Sequence, residues 1–302
     1  MTQPNLIEWR RLSRRSFLLS AAALAAPAVN RAAADPACVL TSEQEEGPYY
    51  IDGAKLRANL TESKPGLPLT VRVALVNAKS CEPLRNAALD IWHCDASGVY
   101  SGFTAVNPDG PGGRGSRGGR FDGGPPAGPP PEGFGQPDFG RGGGPPGGRG
   151  PRKLDETRFL RGVQITNSNG VAEFATIYPG WYSGRAIHVH LKVHMGGSMA
   201  NETYAGGHIS HTGQLFFPEE ATERIAKSEP YLKRLSVHRT TQEEDGIFQS
   251  QHGAACMVRL EKKSQSSDAA GLIATVTLAV DPDATPRPVG MRGPMGPPPG
   301  GR

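Results

Sequence analysis

One stretch of the chain, residues 177–194, concentrates side chains able to do chemistry: it reads IYPGWYSGRAIHVHLKVH. A Pro179-Gly180 turn is followed by Trp181 and Tyr182, then Arg185, then His188-Val189-His190 inside an apolar run. Successive side chains of a strand point to opposite faces, so His188 and His190 share one face while Ile187, Val189 and Leu191 take the other. Two imidazoles side by side on a rigid strand are half of a metal site. The pair alone is compatible with Zn, Cu, Fe, Mn or Ni, and equally with two histidines that hold no metal. His194 has the parity of a third ligand, but four strand residues place it ~13 Å from His190, too far to share one ion. No acid stands at a short spacing, whereas Tyr182 lies six residues before His188, just past a turn that can swing it towards the histidine face. Tyr178 is the competing phenol; its place before Pro179, inside a strand run, argues for packing.

The elements that must position these groups are short strands. Residues 67–76, 87–94, 158–166, 171–179, 212–217 and 272–280 carry the branched, partly alternating patterns of strands. Asn167-Ser168-Asn169-Gly170 is a hairpin turn between two of them. Residues 219–227 read as a short surface helix. Roughly seven to nine strands with little helix predict an all-β fold, an immunoglobulin-like or prealbumin-like β-sandwich with short helices. Tyr100 follows the turn at residues 95–98, just past a strand end, where loops gather functional residues; alone it reads as packing. Trp92 reads as core and His93 as a surface or structural histidine.

Composition bounds the rest. The chain has 302 residues with Gly 40 and Pro 28, unevenly spread. Residues 107–153 are nearly devoid of aliphatic side chains and cannot offset the entropy of ordering them, so they predict a disordered Gly/Pro/Arg-rich insertion in a surface loop. Residues 282–302 read as a disordered Pro/Gly-rich tail, leaving 35–281 as the folded domain. Residues 1–34 carry Arg14-Arg15 before Ser-Phe-Leu, a short apolar run and Ala32-Ala33-Ala34, the plan of a twin-arginine export signal. It is too short for a permanent membrane anchor. The net charge of +4 comes from this segment, which holds five arginines against Glu8. The balanced remainder gives no case for nucleic acid or an anionic membrane as partner, and an exported chain makes RNA an improbable target for the Arg-Gly-rich insertion. A homo-oligomer stays open. Cys38, Cys81, Cys94 and Cys256 fit an oxidising destination and allow three pairings. Proximity in sequence favours Cys81 with Cys94 and Cys38 with Cys256, with free buried thiols as the alternative.

Four separated motifs then meet one family. Gly98-Val99-Tyr100, Pro179-Gly180-Trp181-Tyr182, Arg185-Ala186-Ile187-His188-Val189-His190 and Thr212-Gly213-Gln214-Leu215-Phe216 resemble, in order, the intradiol ring-cleavage dioxygenases. Glu46-Gly47-Pro48-Tyr49-Tyr50 joins the resemblance, which spans residues 40–105 and 157–220. The family's Arg-Pro-Ala-His is Arg-Ala-Ile-His here, and the helical dimer domain of catechol dioxygenases is not expected, so the layout is similar to exported single-domain relatives. The resemblance implies Fe(III) held by Tyr100, Tyr182, His188 and His190, with Tyr182 also acting as base, Arg185 stabilising charge and Gln214 orienting substrate. It implies a catechol-type substrate and O2 as reactants and a muconate-type diacid as product. The rival readings are a cupin-like metalloenzyme, which needs a further His or Glu, and an exported β-sandwich binding module with an incidental histidine pair.

Overall fold

The computed structural model describes residues 38–109, 155–264 and 270–289. The expected export signal, most of the expected insertion and the end of the expected tail lie outside the described residues. Among the described residues there are ten strands: β1 (Pro68–Asn77), β2 (Ala88–Trp92), β3 (Arg161–Ile165), β4 (Val171–Ile177), β5 (His188–Met195), β6 (Ser198–Ala200), β7 (Thr203–Ala205), β8 (His208–Phe216), β9 (Arg259–Lys262) and β10 (Leu272–Val280). Two short helices, α1 (Glu219–Ala226) and α2 (Gly246–Ser250), and two 3-10 turns accompany them. The strands form two four-stranded sheets, ordered β4-β1-β10-β9 and β3-β2-β5-β8, plus the β6-β7 hairpin. The β1–β10 pair is parallel, in register Leu69 with Leu272, and the other neighbours are antiparallel. This is the expected all-β architecture. The short hairpin β6-β7 and strand β9 escape the sequence pattern because three or four residues are too few to show a period of two.

Alternation on each strand makes the core. Leu69, Val71, Val73 and Leu75 of β1 join Phe174, Leu272, Ala274 and Leu278 in one buried cluster with Leu89, Ile91, Val189, Leu191, Val193 and Leu215 of the second sheet. Removing the fully buried Phe174 ring would cost ~3–5 kcal/mol. The opposite face of the second sheet is polar. There the register sets Trp92 beside both Arg161 and His190, and His190 beside Gln214, so these four side chains form one rung across the sheet. Asp90 stands opposite Lys192 on the next rung of that face.

This polar face is covered by the chain's own N-terminal segment. Gln44 N–H donates to Thr212 O (2.9 Å), Gln214 N–H to Gln44 Oε1 (2.6 Å) and Thr212 N–H to Glu43 Oε2 (2.9 Å). Glu46 pairs with the buried Lys192, whose ammonium lies 3.5 Å from the Tyr50 ring centroid. The segment thereby supplies partners to part of a buried, charge-bearing sheet face, while Trp92 Nε1 and His190 Nδ1 on that face have none among the described residues.

The disulfide corrects the expected pairing. Cys38 is bonded to Cys81 with a Cα–Cα distance of 5.6 Å, and Cys94 and Cys256 are buried free thiols. Cys81 lies in the turn after β1, its N–H donating to Asn77 O (2.8 Å), whereas Cys94 is buried just past β2 with its Sγ 3.5 Å from Gly180 O. The bond fits an oxidising compartment.

Candidate metal and active site

His188 and His190 lie at the start of β5, on its polar face, both buried. Their Nε2 atoms are 3.0 Å apart. Tyr182 Oη stands 3.2 Å and Tyr100 Oη 3.4 Å from His188 Nε2. The structure thus brings together all four side chains singled out in the sequence, Tyr100 joining the three from residues 177–194. Two glycines permit this approach. A Cβ on Gly98 would lie 2.4 Å from Trp181 O, and one on Gly180 would lie 2.5 Å from Ala96 O. The turn before Tyr100 and the turn before Tyr182 therefore pack backbone against backbone, and Gly98 also takes φ +79. Asp95 shapes the first turn by accepting from Ser97 N–H (2.9 Å) and Val99 N–H (3.1 Å). The second is held by Trp181 Nε1–H to Val237 O (3.1 Å), Ser183 N–H to Asp109 Oδ1 (3.2 Å) and Gly184 N–H to Thr240 Oγ1 (2.9 Å). Asp109, at the mouth of the insertion, also accepts from Arg234 (2.9 Å).

Aromatic rings wall the cluster. Trp92 is stacked on His190 with centroids 4.9 Å apart, and Tyr49 on Tyr100 at 4.4 Å. Tyr49, Trp92, Cys94, Tyr100, Phe103 and Tyr182 form one buried apolar group. Burial, and then neighbouring positive charge, hold both histidines well below their ordinary range. His188 Nδ1 lies 2.6 Å from Ala186 O, so a neutral ring donates there and leaves the Nε2 lone pair turned to the cluster. Burial also raises both phenols, against which Arg185 pulls Tyr182 down. The two phenolic oxygens and His190 Nε2 thus gather within 3.4 Å of His188 Nε2, where burial works against ionising the phenols. That donor set fits a hard, highly charged metal ion, which would offset the burial cost and draw off the phenolic protons.

Arg185 and Gln214 stand beside the cluster, both buried. Arg185 Nε–H donates to Asp245 Oδ2 (3.1 Å), its Nη2 donates to Gln214 Oε1, and its Nη1 is 3.8 Å from Glu45 Oε1. Gln214 Nε2–H donates to Glu45 O (2.9 Å). Burial works against the Arg185 charge, but Asp245, Tyr182 and Glu45 outweigh it and raise its pKa. Sequence reasoning missed Asp245, Gln44 and Glu45. They come from segments 60 to 170 positions away from the residues they hold, and nothing local marks them.

The bland alternatives are resolved as well. Tyr178 packs in the core and its hydroxyl meets Thr222 Oγ1 at 2.6 Å. His194 lies beyond a register shift in β5, its ring 5.9 Å from that of Tyr204. His93 is structural rather than superficial: fully buried, it bonds Cys94 O (2.8 Å) and Thr176 Oγ1 (2.7 Å).

Comparison with solved structures points one way. An intradiol ring-cleavage dioxygenase from Tetranychus urticae is 29% identical, with a TM-score of 0.60 over 83% of this chain and 98% of that one. A second dioxygenase crystal structure is also 29% identical, with a TM-score of 0.60 over 82% of this chain and 98% of its own. No protein-family model and no curated protein matches the chain. The chain shares fold and sequence features with the intradiol ring-cleavage dioxygenases. Both of these neighbours are dioxygenases, enzymes of the oxidoreductase class.

Proposed function

We propose that the protein is an exported ferric dioxygenase that opens the ring of a catechol-like diol between its two hydroxyl-bearing carbons, with O2 as co-substrate. The observation that carries this reading is the meeting of Tyr100, Tyr182 and His190 around His188 Nε2 at 3.0–3.4 Å in a buried, aromatic-walled cluster. These four side chains would hold Fe(III), the ion that two phenolates and two imidazoles favour. When bound, ferric iron would draw electron density from a chelated diol and so open its ring carbon to O2.

The chain's own groups supply the rest. His188 and His190 are kept neutral by burial, so they offer lone pairs at any pH near neutrality. With the ion bound Tyr182 would be a phenolate, and its Oη would then take a proton from the arriving diol to become the neutral phenol, general-base work by a group already within 3.2 Å of His188 Nε2. Arg185 holds a fixed charge beside the site and stabilises negative charge developing on the substrate oxygens. Gln214 links Arg185 to the covering segment and retains one amide N–H for orienting substrate. Tyr49, Trp92 and Phe103 wall the site and exclude water.

The cupin-like alternative wants a third His or Glu beside the pair; among the described residues no group of three or more His, Cys, Asp or Glu side chains is placed to hold a metal ion. Export by the twin-arginine route would deliver a folded, metal-loaded enzyme to the compartment that the disulfide suits. The test is oxygen uptake with catechol, protocatechuate and hydroxyquinol, with 18O2 and mass analysis of products. The reading expects a ring-opened diacid carrying both atoms of one O2. No uptake by iron-loaded protein with any of the three would refute it.

A further inference from the structure

Asp245 is fully buried and its carboxylate is saturated. Its oxygens accept from Arg185 Nε (3.1 and 3.2 Å), Ala186 N–H (2.9 Å), Ile247 N–H (2.8 Å) and Phe248 N–H (3.3 Å). Two of these donors anchor the carboxylate to the start of α2, and the other two belong to the segment that leads into β5. From that segment two arms reach the site. One is the Arg185 guanidinium, which passes on to Gln214. The other is the Ala186 residue, whose N–H is held by Asp245 and whose C=O receives His188 Nδ1 at 2.6 Å.

We propose that Asp245 is a positioning residue whose single carboxylate sets both the direction of the Arg185 guanidinium and the orientation of the His188 imidazole. The proposal rests on the ferric reading of the site and goes beyond its ligand set. Partners that orient a metal-binding histidine from behind, and so fix which nitrogen carries the proton, change metal affinity or activity about 10–100-fold when lost.

The test compares iron-loaded wild type with Asp245→Asn. Asparagine keeps the shape and can still accept from Ile247 N–H, but it turns an NH2 towards the Arg185 or Ala186 donors. Two readouts are taken: iron retained against a competing chelator, and kcat and KM for catechol. The expected result is a fall of about 10–100-fold in both iron affinity and kcat, with KM within about threefold of wild type. On an Arg185→Gln background the same substitution lowers kcat by less than about threefold, because that arm is already cut. Iron affinity still falls there, because the Ala186 arm does not run through Arg185. Equal fractional losses of kcat on both backgrounds, or wild-type iron retention in Asp245→Asn, would overturn the proposal. If Asp245→Asn alone does not fold, the double variant, which leaves no buried guanidinium unpaired, is compared with Arg185→Gln for iron retention. Equality in that pair overturns the proposal too. Wild-type protein that takes up no iron would fail the ferric reading itself, and the proposal with it.

Discussion

His93 ties the two sheets together immediately behind the site, and its burial makes stability sensitive to acid. Its ring bridges Cys94 O at the end of β2 and Thr176 Oγ1 on β4, one residue from the Trp92 that stacks on His190. Burial, partly offset by the Cys94 carbonyl, lowers its pKa from 6.5 to about 4. The folded value lies below the unfolded one, so the unfolded chain takes the proton first. The stability involved is therefore whole above about pH 6.5 and is lost as pH falls towards about 4. At ~1.4 kcal/mol per pH unit that window is worth ~3 kcal/mol, a large part of a marginal fold. In His93→Gln, the amide can serve the same carbonyl and hydroxyl but cannot titrate. Urea unfolding of metal-free wild type and variant at about pH 7 and about pH 4.5 isolates the difference, because every other titrating group is common to both. Wild type should lose ~2.5 kcal/mol more than His93→Gln across that interval. Parallel losses would show that the ring is protonated in the fold at ordinary cost and would refute the reasoning.

Tyr182→Phe should retain the fold and lower kcat by about 10²–10⁴, the usual worth of a positioned acid–base group, as read by initial rates with catechol. Tyr100→Phe and Tyr182→Phe should each displace the visible band of the iron-loaded protein; an unchanged spectrum removes that tyrosine from the ligand set. Reducing the Cys38–Cys81 bond, which closes 43 residues, should lower unfolding free energy by up to about 4 kcal/mol in a urea titration with and without reductant. Cys94 and Cys256 should resist alkylation in the native protein, since both are buried and burial raises both thiols, Cys256 to about 11. Mass spectrometry of native and urea-unfolded samples distinguishes the two states.

Much of this was legible in the sequence where periodicity or a turn residue carries the information. The alternation of residues 187–191 placed His188 and His190 on one face and Val189 and Leu191 in the core, as the structure has them. The Asn167–Gly170 turn and the apolar runs located β3, β4, β1 and β10 to within a few residues. Tyr100 and Tyr182 were another matter. Spacing alone ranked Tyr100 as packing, and it is packing as well, buried against Tyr49; only the motif resemblance singled it out. The rest depended on contacts between distant segments. Asp245 reaches Arg185 across 60 positions, and Gln44 reaches Gln214 across 170. Neither has a local signature, because a buried carboxylate or amide is chosen by what the fold sets opposite it. The cysteine pairing failed for the same reason: Cys38 meets Cys81 across 43 positions, a contact between distant segments with no local signature.

The visible absorption spectrum of the purified, iron-reconstituted protein tests the central claim most directly. Two phenolate ligands on one ferric ion predict a red-brown protein with one iron per chain, whose band shifts when catechol is added without O2. A colourless protein, or one whose iron gives no such band and no shift with catechol, would contradict the account.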